Sequence, residues 1–338
     1  MNHRQTHFII FILVAALALA ACREAPAPAT LEPVSLQLSW VYEYSSAPLI
    51  SAKENGRFAE QGLDVTLVPG GFGENGYIEP ISQVVDGEAA FGTASAPGIL
   101  QARAEGKPIV AVMTILQRNP DSLISLASSG IEHPKDLVGK TVAVQAGGAM
   151  AAYHGFLAMQ GIDPADVNTI ERQSFGIDPL INGQADVLYG WLINEAVLVE
   201  EAGEQAHVIL LSDYVIDVYA FTIFTTEDIL NNRPDLVRAM MRGLIAGMQD
   251  VVSDPSAAID QVLAYDESLN REQQQRRLDA MIPLMNPASS ELGMMSPDSW
   301  ELSYQLLMDE GLLTAEIDPA DAYTMDFLNE IYSTSASQ

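Results

Sequence analysis

The chain has 338 residues, and its 45 Asp and Glu against 16 Lys and Arg give a formal charge of -29. That length accommodates roughly two domains of ordinary size, and so acidic a surface excludes charge-driven binding to nucleic acid or to an anionic membrane surface. A single Cys excludes an internal disulfide. Lysine is confined to Lys53, Lys107, Lys135 and Lys140, so carboxylates dominate the surface, as in a protein of a salt-rich habitat or an ordinary acidic secreted one.

The N-terminus reads as an export signal. Arg4 precedes an apolar run from Phe8 to Ala21 that is short for a membrane span and fits the apolar region of a secretory leader. The run closes on Leu19-Ala20-Ala21-Cys22, which resembles a bacterial lipobox. The resemblance implies cleavage before Cys22 and lipidation of its thiol, so residues 1–22 are expected to be a lipoprotein signal. An ordinary signal peptide with an incidental Cys is the other reading. Residues 23–33, rich in Pro and Ala, read as a flexible tether.

From Val34 to Leu38 apolar and polar residues alternate, which predicts a half-buried strand ending at Trp40. A loop, Val41-Tyr42-Glu43-Tyr44-Ser45-Ser46, follows. Ala47 to Gln61, with Pro48 in the first turn and Gly62 beyond the end, predicts one helix. Val65, Leu67 and Val68 form the next strand. Strand, helix and strand at this spacing make a right-handed parallel unit, whose ligands sit at the carboxyl ends of strands, where Trp40, Tyr42 and Tyr44 lie.

Trp40, Ala47-Pro48-Leu49, Ala52-Lys53-Glu54, Gly56, Phe58, Glu60 and Gly62-Leu63-Asp64-Val65 together resemble the opening of the solute-binding proteins for thiamine-pyrimidine precursors, riboflavin and alkanesulfonates. Similarity extends over nearly the whole mature chain, and the pattern is specific for the family but poor for the ligand. It implies a two-lobed α/β type II periplasmic binding protein fold with a ligand cleft between the lobes, serving the permease and ATPase subunits of an ABC importer. Lobe 1 is expected to comprise residues 34–118 and 217–338, and lobe 2 residues 119–216.

Gly71, Gly73 and Gly76 match G-x-G-x-x-G, but the match follows the second strand, Pro69 interrupts the approach, and no acidic residue ends the next strand. A Gly-rich turn that lets backbone approach a ligand or the other lobe is the favoured reading. Thr93 and Ser95 end a predicted strand. They cap the next helix or face the cleft, and the family resemblance implies a small polar ligand contact there. Gly139-Lys140-Thr141 matches the tail of a P-loop but precedes a strand, and Pro134 stands where the motif needs Gly.

Ile109 to Leu116 and Leu123 to Leu126 predict strands, with the first crossing between lobes at Gln117-Arg118-Asn119-Pro120. Lys140 to Val144 predicts another. Gly147 and Gly148 then open a helix at Met150, where free N–H groups could meet a ligand oxygen or glycine could serve the turn alone. In Asp186–Ala196, a strand ends near Tyr189, Trp191 lies just past it, and Asn194 and Glu195 start a helix. The segment resembles the family's aromatic and Asn/Glu ligand wall, suited to a flat heterocycle with N–H donors; a core Trp and a helix cap are the alternatives. Asp217 and Tyr219 fall at the return crossing, within reach of the cleft or merely packed. The remainder reads as helices: a capping box at Thr225–Asp228, a core face of Leu236, Met240, Leu244 and Met248, a helix capped by Ser296-Pro297, and a last one over 321–332.

Three function classes compete. A monomeric, lipid-anchored binding protein for a small heterocyclic ligand accounts for leader, lobes and aromatic cleft together. Thiamine pyrimidine synthases of the same superfamily resemble one another in a Cys-rich iron motif and a His consumed as substrate. This chain has only Cys22 and, after the leader, His133, His154 and His207, none at metal-ligand spacing, so neither cofactor nor metal is expected. A sensory module acting through a partner is the third. Among ligands, Glu43, Glu195 and Asp217 disfavour a sulfonate or other anion, which Arg118 alone would attract.

Overall fold

The structure is a computed structural model and describes residues 30–73, 76–172, 176–214, 216–286 and 291–335. The expected lipobox at Cys22, with most of the tether, lies outside the described residues. Twelve strands are described: β1 (Glu32–Gln37), β2 (Leu63–Val68), β3 (Gly71–Gly73), β4 (Gly76–Ile78), β5 (Phe91–Ala94), β6 (Ile109–Thr114), β7 (Asp121–Leu126), β8 (Thr141–Val144), β9 (Asn168–Glu171), β10 (Val187–Trp191), β11 (Ala206–Leu210) and β12 (Thr222–Thr226).

They form two five-stranded sheets. The first has the order β2-β1-β5-β12-β6 and the second β11-β7-β10-β8-β9. In the first, β1 and β5 run parallel while β12 is antiparallel to β5 and β6. In the second, β7 is antiparallel to both β10 and β11, and β8 runs parallel to β9 and β10. The chain therefore leaves the first sheet after β6, enters the second at β7, and returns at β12. Each sheet has a core of its own: Leu36, Leu49, Phe58 and Met240 beside the first, and Val142, Phe156 and Tyr189 beside the second.

Helices cover the first sheet because their sequences keep one face small or apolar. Helix Pro234–Ser253 buries Leu236, Met240, Leu244 and Met248. Its Gly243 and Gly247 let it lie against Phe58 and against the backbone of helix Ala47–Glu54, since a Cβ at Gly247 would stand 2.4 Å from the Pro48 carbonyl oxygen. The predicted single helix over 47–61 is broken: Gly56 takes φ 72° and caps Ala47–Glu54, and a short helix, Arg57–Glu60, restarts beyond it. The last helix is Asp326–Ser335, and Pro319–Ala322 ahead of it is a 3-10 turn. Of the Gly-rich motif, Gly71–Gly73 and Gly76 belong to the antiparallel strands β3 and β4, not to a strand-to-helix turn.

The crossings are tied by Asn119. Its backbone N–H donates to Asp217 Oδ1 at 2.7 Å, its side-chain amide donates to the Val218 carbonyl at 2.6 Å, and its Oδ1 accepts from the Asp121 N–H at 2.6 Å. Away from the crossings the lobes touch through His154 and Glu310 at 2.8 Å and through Gln273 and Glu201 at 2.6 Å.

A candidate ligand cavity between the two lobes

A cavity of about 630 Å³ lies between the sheets, within the range that holds drug-sized ligands. The first lobe contributes Trp40, Tyr44 and Tyr77, the second contributes Tyr189, Trp191 and Asn194, and Tyr219 comes from the return crossing. Aromatic rings thus face the cavity from both lobes, at the ends of β1 and β10 where the chain turns away from its sheet.

The geometry at β10 follows from the residues after it. Leu192–Ala196 forms a π-helical turn, a wider coil that is frequent at functional sites. The turn carries Glu195 back beneath the strand, where Oε2 accepts from the Trp191 N–H at 2.8 Å. Gly190 makes room for it, because a Cβ there would meet Glu195 Cδ at 2.8 Å. Glu195 Oε1 accepts from Arg172 Nη2 at 2.9 Å, and that guanidinium also donates to the Tyr189 and Gly176 carbonyls at 2.6 and 2.9 Å. Glu195, expected to meet the ligand, has both oxygens engaged in holding the end of β10.

Asp121 is a further carboxylate of the cavity wall. Its Oδ2 accepts from the Tyr189 hydroxyl at 2.6 Å. Burial pushes its pKa up to about 6, against hydrogen bonds from Tyr189, Asn119 and the Trp191 indole that pull it down. Burial and the neighbouring Asp121 charge push the Tyr189 hydroxyl well above its usual range. Across the cavity, burial raises the Glu43 carboxyl, and Arg277 and Ser45 pull it back. Arg277 Nη1 stands 3.8 Å from Glu43 Oε2, and its guanidinium lies over the Tyr44 ring at 5.7 Å.

The model of the family described as NMT1/THI5 like matches residues 43–258. The chain belongs to that family. The NMT1/THI5-like chain is 28% identical to the riboflavin-binding protein RibY of Chloroflexus aurantiacus, over 91% of this chain and 90% of RibY. It is 25% identical to the formylaminopyrimidine-binding protein of Halalkalibacterium halodurans, over 94% of this chain and 97% of that one. A synthase is also similar, the 4-amino-5-hydroxymethyl-2-methylpyrimidine phosphate synthase of Legionella pneumophila, at 24% over 67% of this chain and 72% of the enzyme. Among solved structures, the periplasmic aliphatic sulphonate binding protein SsuA of Escherichia coli superposes with a TM-score of 0.68 at 14% identity, over 86% of this chain and 91% of SsuA. The fold is that of the two-lobed periplasmic binding proteins.

Of the candidates named from the sequence, Trp40, Tyr44, Ser95, Gly148, Tyr189, Trp191, Asn194, Glu195 and Tyr219 line the cavity of this NMT1/THI5-like chain. Ser95 also caps the next helix by accepting from the Gly98 N–H at 3.3 Å. Four do not line it. Tyr42 faces the helical side, with its hydroxyl donating to the Leu67 carbonyl at 2.7 Å and its ring against Tyr265. Thr93 is fully buried and accepts from the Ser39 N–H at 2.7 Å, so Ser39 takes its place in the wall. Gly147 makes the turn with φ 79°, leaving Gly148 in the wall. Asp217 is occupied by Asn119. Arg118, the expected attractor of anions, pairs outside the cavity with Asp213 at 2.6 Å.

Asn119, Asp121, Gln145, Tyr77 and Arg277 line the wall without having been singled out for it. Gln145 stands just before the Gly147-Gly148 turn, and that position was a usable signal. Arg277 stands in Arg271-Glu272-Gln273-Gln274-Gln275-Arg276-Arg277, a stretch whose polarity reads as a solvent-facing helix.

Proposed function

We propose that the chain is the extracytoplasmic solute-binding protein of an ABC importer and that it takes a small, flat aromatic heterocycle. One observation carries the reading: aromatic side chains of both lobes enclose a cavity whose polar wall includes Asp121 and Asn194. Ring pairs of that kind contribute roughly 0.5–1.5 kcal/mol each beyond area burial, and a buried carboxylate selects a ring carrying N–H or amino donors. The names of the riboflavin-binding and formylaminopyrimidine-binding relatives point to the same chemistry. The lobes, 34–118 with 217–338 and 119–216, close on the ligand about the Asn119 crossings. The protein works as a monomer, tethered through a lipidated Cys22, and hands its cargo to the permease.

A synthase reading has less support. The His consumed in the enzymes that this chain resembles would have to reach the cavity. Yet His154 pairs with Glu310, His207 lies by the Glu132 carbonyl at 3.1 Å, and neither is in the cavity wall. The test is mass spectrometry of whatever the purified protein releases on denaturation. A flavin or an aminopyrimidine is expected. An alkanesulfonate, or conversion of an added compound by the protein alone, would overturn the reading.

A further inference from the structure

Two arginines stand beside the cavity, and their surroundings differ. Arg172 has a fully buried side chain and three acceptors within 2.9 Å. Arg277 is 8% exposed, its guanidinium makes no hydrogen bond among the described residues, its ion contact with Glu43 is a loose 3.8 Å, and its Nε, like that of Arg172, is buried without an acceptor. A buried guanidinium with so few acceptors is costly to keep. A ligand oxygen would relieve that cost, because Arg277 forms part of the cavity wall.

We infer that Arg277 forms a second subsite, which takes a neutral, oxygen-bearing arm of the ligand, one rich in hydroxyl or carbonyl acceptors. This rests on the function proposed above and narrows it to a heterocycle carrying such an arm. Asp121 stands on β7 in the second lobe and Arg277 on helix Arg271–Met285 against the first. The ring's donors and the arm's acceptors are thus held from opposite sides of the cleft. Neutrality follows from Glu43. Its carboxylate already shares the guanidinium charge and would oppose a phosphate placed on the same group.

The test is calorimetric titration with riboflavin, with lumichrome (the same ring system without the hydroxyl arm) and with riboflavin 5′-phosphate. A charge-assisted hydrogen bond predicts that the wild type binds riboflavin at least about tenfold tighter than lumichrome. In Arg277→Met the ratio should collapse to within about threefold, through a larger loss for riboflavin than for lumichrome, and Arg277→Lys should restore part of it. The phosphate ester should bind no tighter than riboflavin. An unchanged ratio in Arg277→Met overturns the subsite, as does tighter binding of the phosphate ester. Equal binding of riboflavin and lumichrome by the wild type also overturns the subsite but leaves the heterocycle reading intact. If formylaminopyrimidine binds and neither flavin does, its formyl carbonyl is the arm, and unchanged affinity for it in Arg277→Met overturns the subsite. Failure of all these rings to bind overturns both. Should Arg277→Met not fold, Arg277→Gln reads the same ratio with a donor kept and the charge removed.

Discussion

The two Glu–Arg pairs beside the cavity have the same composition and opposite characters. Glu195 and Arg172 close at 2.9 Å with their side chains almost wholly buried, whereas Glu43 and Arg277 stand at 3.8 Å with Arg277 short of acceptors. The first pair is spent on structure: it fixes the Tyr189 carbonyl and the Trp191 N–H, and so aims the aromatic end of β10. The second keeps hydrogen-bonding capacity in hand. A carboxylate and a guanidinium near a cleft thus say little about ligand binding until their partners are counted.

The strongest way to break this contrast is Arg172→Ala. It leaves Glu195 buried without its counter-ion and should cost roughly 3–5 kcal/mol, measured by urea denaturation at neutral pH. Arg172→Met combined with Glu195→Leu should recover most of the loss, because both charges then leave together. A small effect of the single change would mean that the pair does not hold β10.

A smaller effect belongs to Asp121, which has neutral donors around it in place of an arginine. Its folded pKa of about 6 lies above the reference value of 3.8, so the folded state binds its proton more tightly than the unfolded one. Stability from this group is therefore fully present below the unfolded pKa and is lost as pH rises from about 4 through 6. The loss is on the order of 2–3 kcal/mol. Asp121→Asn should flatten the difference between denaturation curves at pH 4.5 and pH 7. A wild-type curve with no such slope would contradict the buried-carboxylate account.

The mildest change is Glu43→Gln. Because its pair stands at 3.8 Å and Gln keeps an oxygen acceptor, urea denaturation should move by only about 1–2 kcal/mol. A loss matching that of Arg172→Ala would erase the distinction between the pairs.

The same contrast explains what could be read in the sequence. Strand alternation and the Trp40–Val65 pattern carried the fold, since periodicity and turn residues report backbone directly. Tyr44, Tyr189 and Trp191 were legible as wall residues because strand ends in such folds face the cleft. Tyr42 and Thr93 were not: which side of a loop or strand end a side chain takes depends on the neighbour that captures it, here Leu67 and Ser39. Glu195 was legible as a wall residue, but its ion pair was not, because Arg172 comes from a segment 23 residues away with no motif of its own. Arg277 lay hidden in the polar first half of its helix, Arg271–Arg277, where only tertiary packing against Tyr44 turns it inward.

The central claim is that a heterocycle sits between the lobes against Trp191. It is tested most directly by calorimetric titration of wild type and Trp191→Ala with riboflavin and with formylaminopyrimidine. The account predicts that the wild type binds one of them and that Trp191→Ala weakens that binding at least about tenfold, each ~1.4 kcal/mol counting one decade, with the fold retained. Wild-type affinity in Trp191→Ala would place the ligand elsewhere and contradict the account.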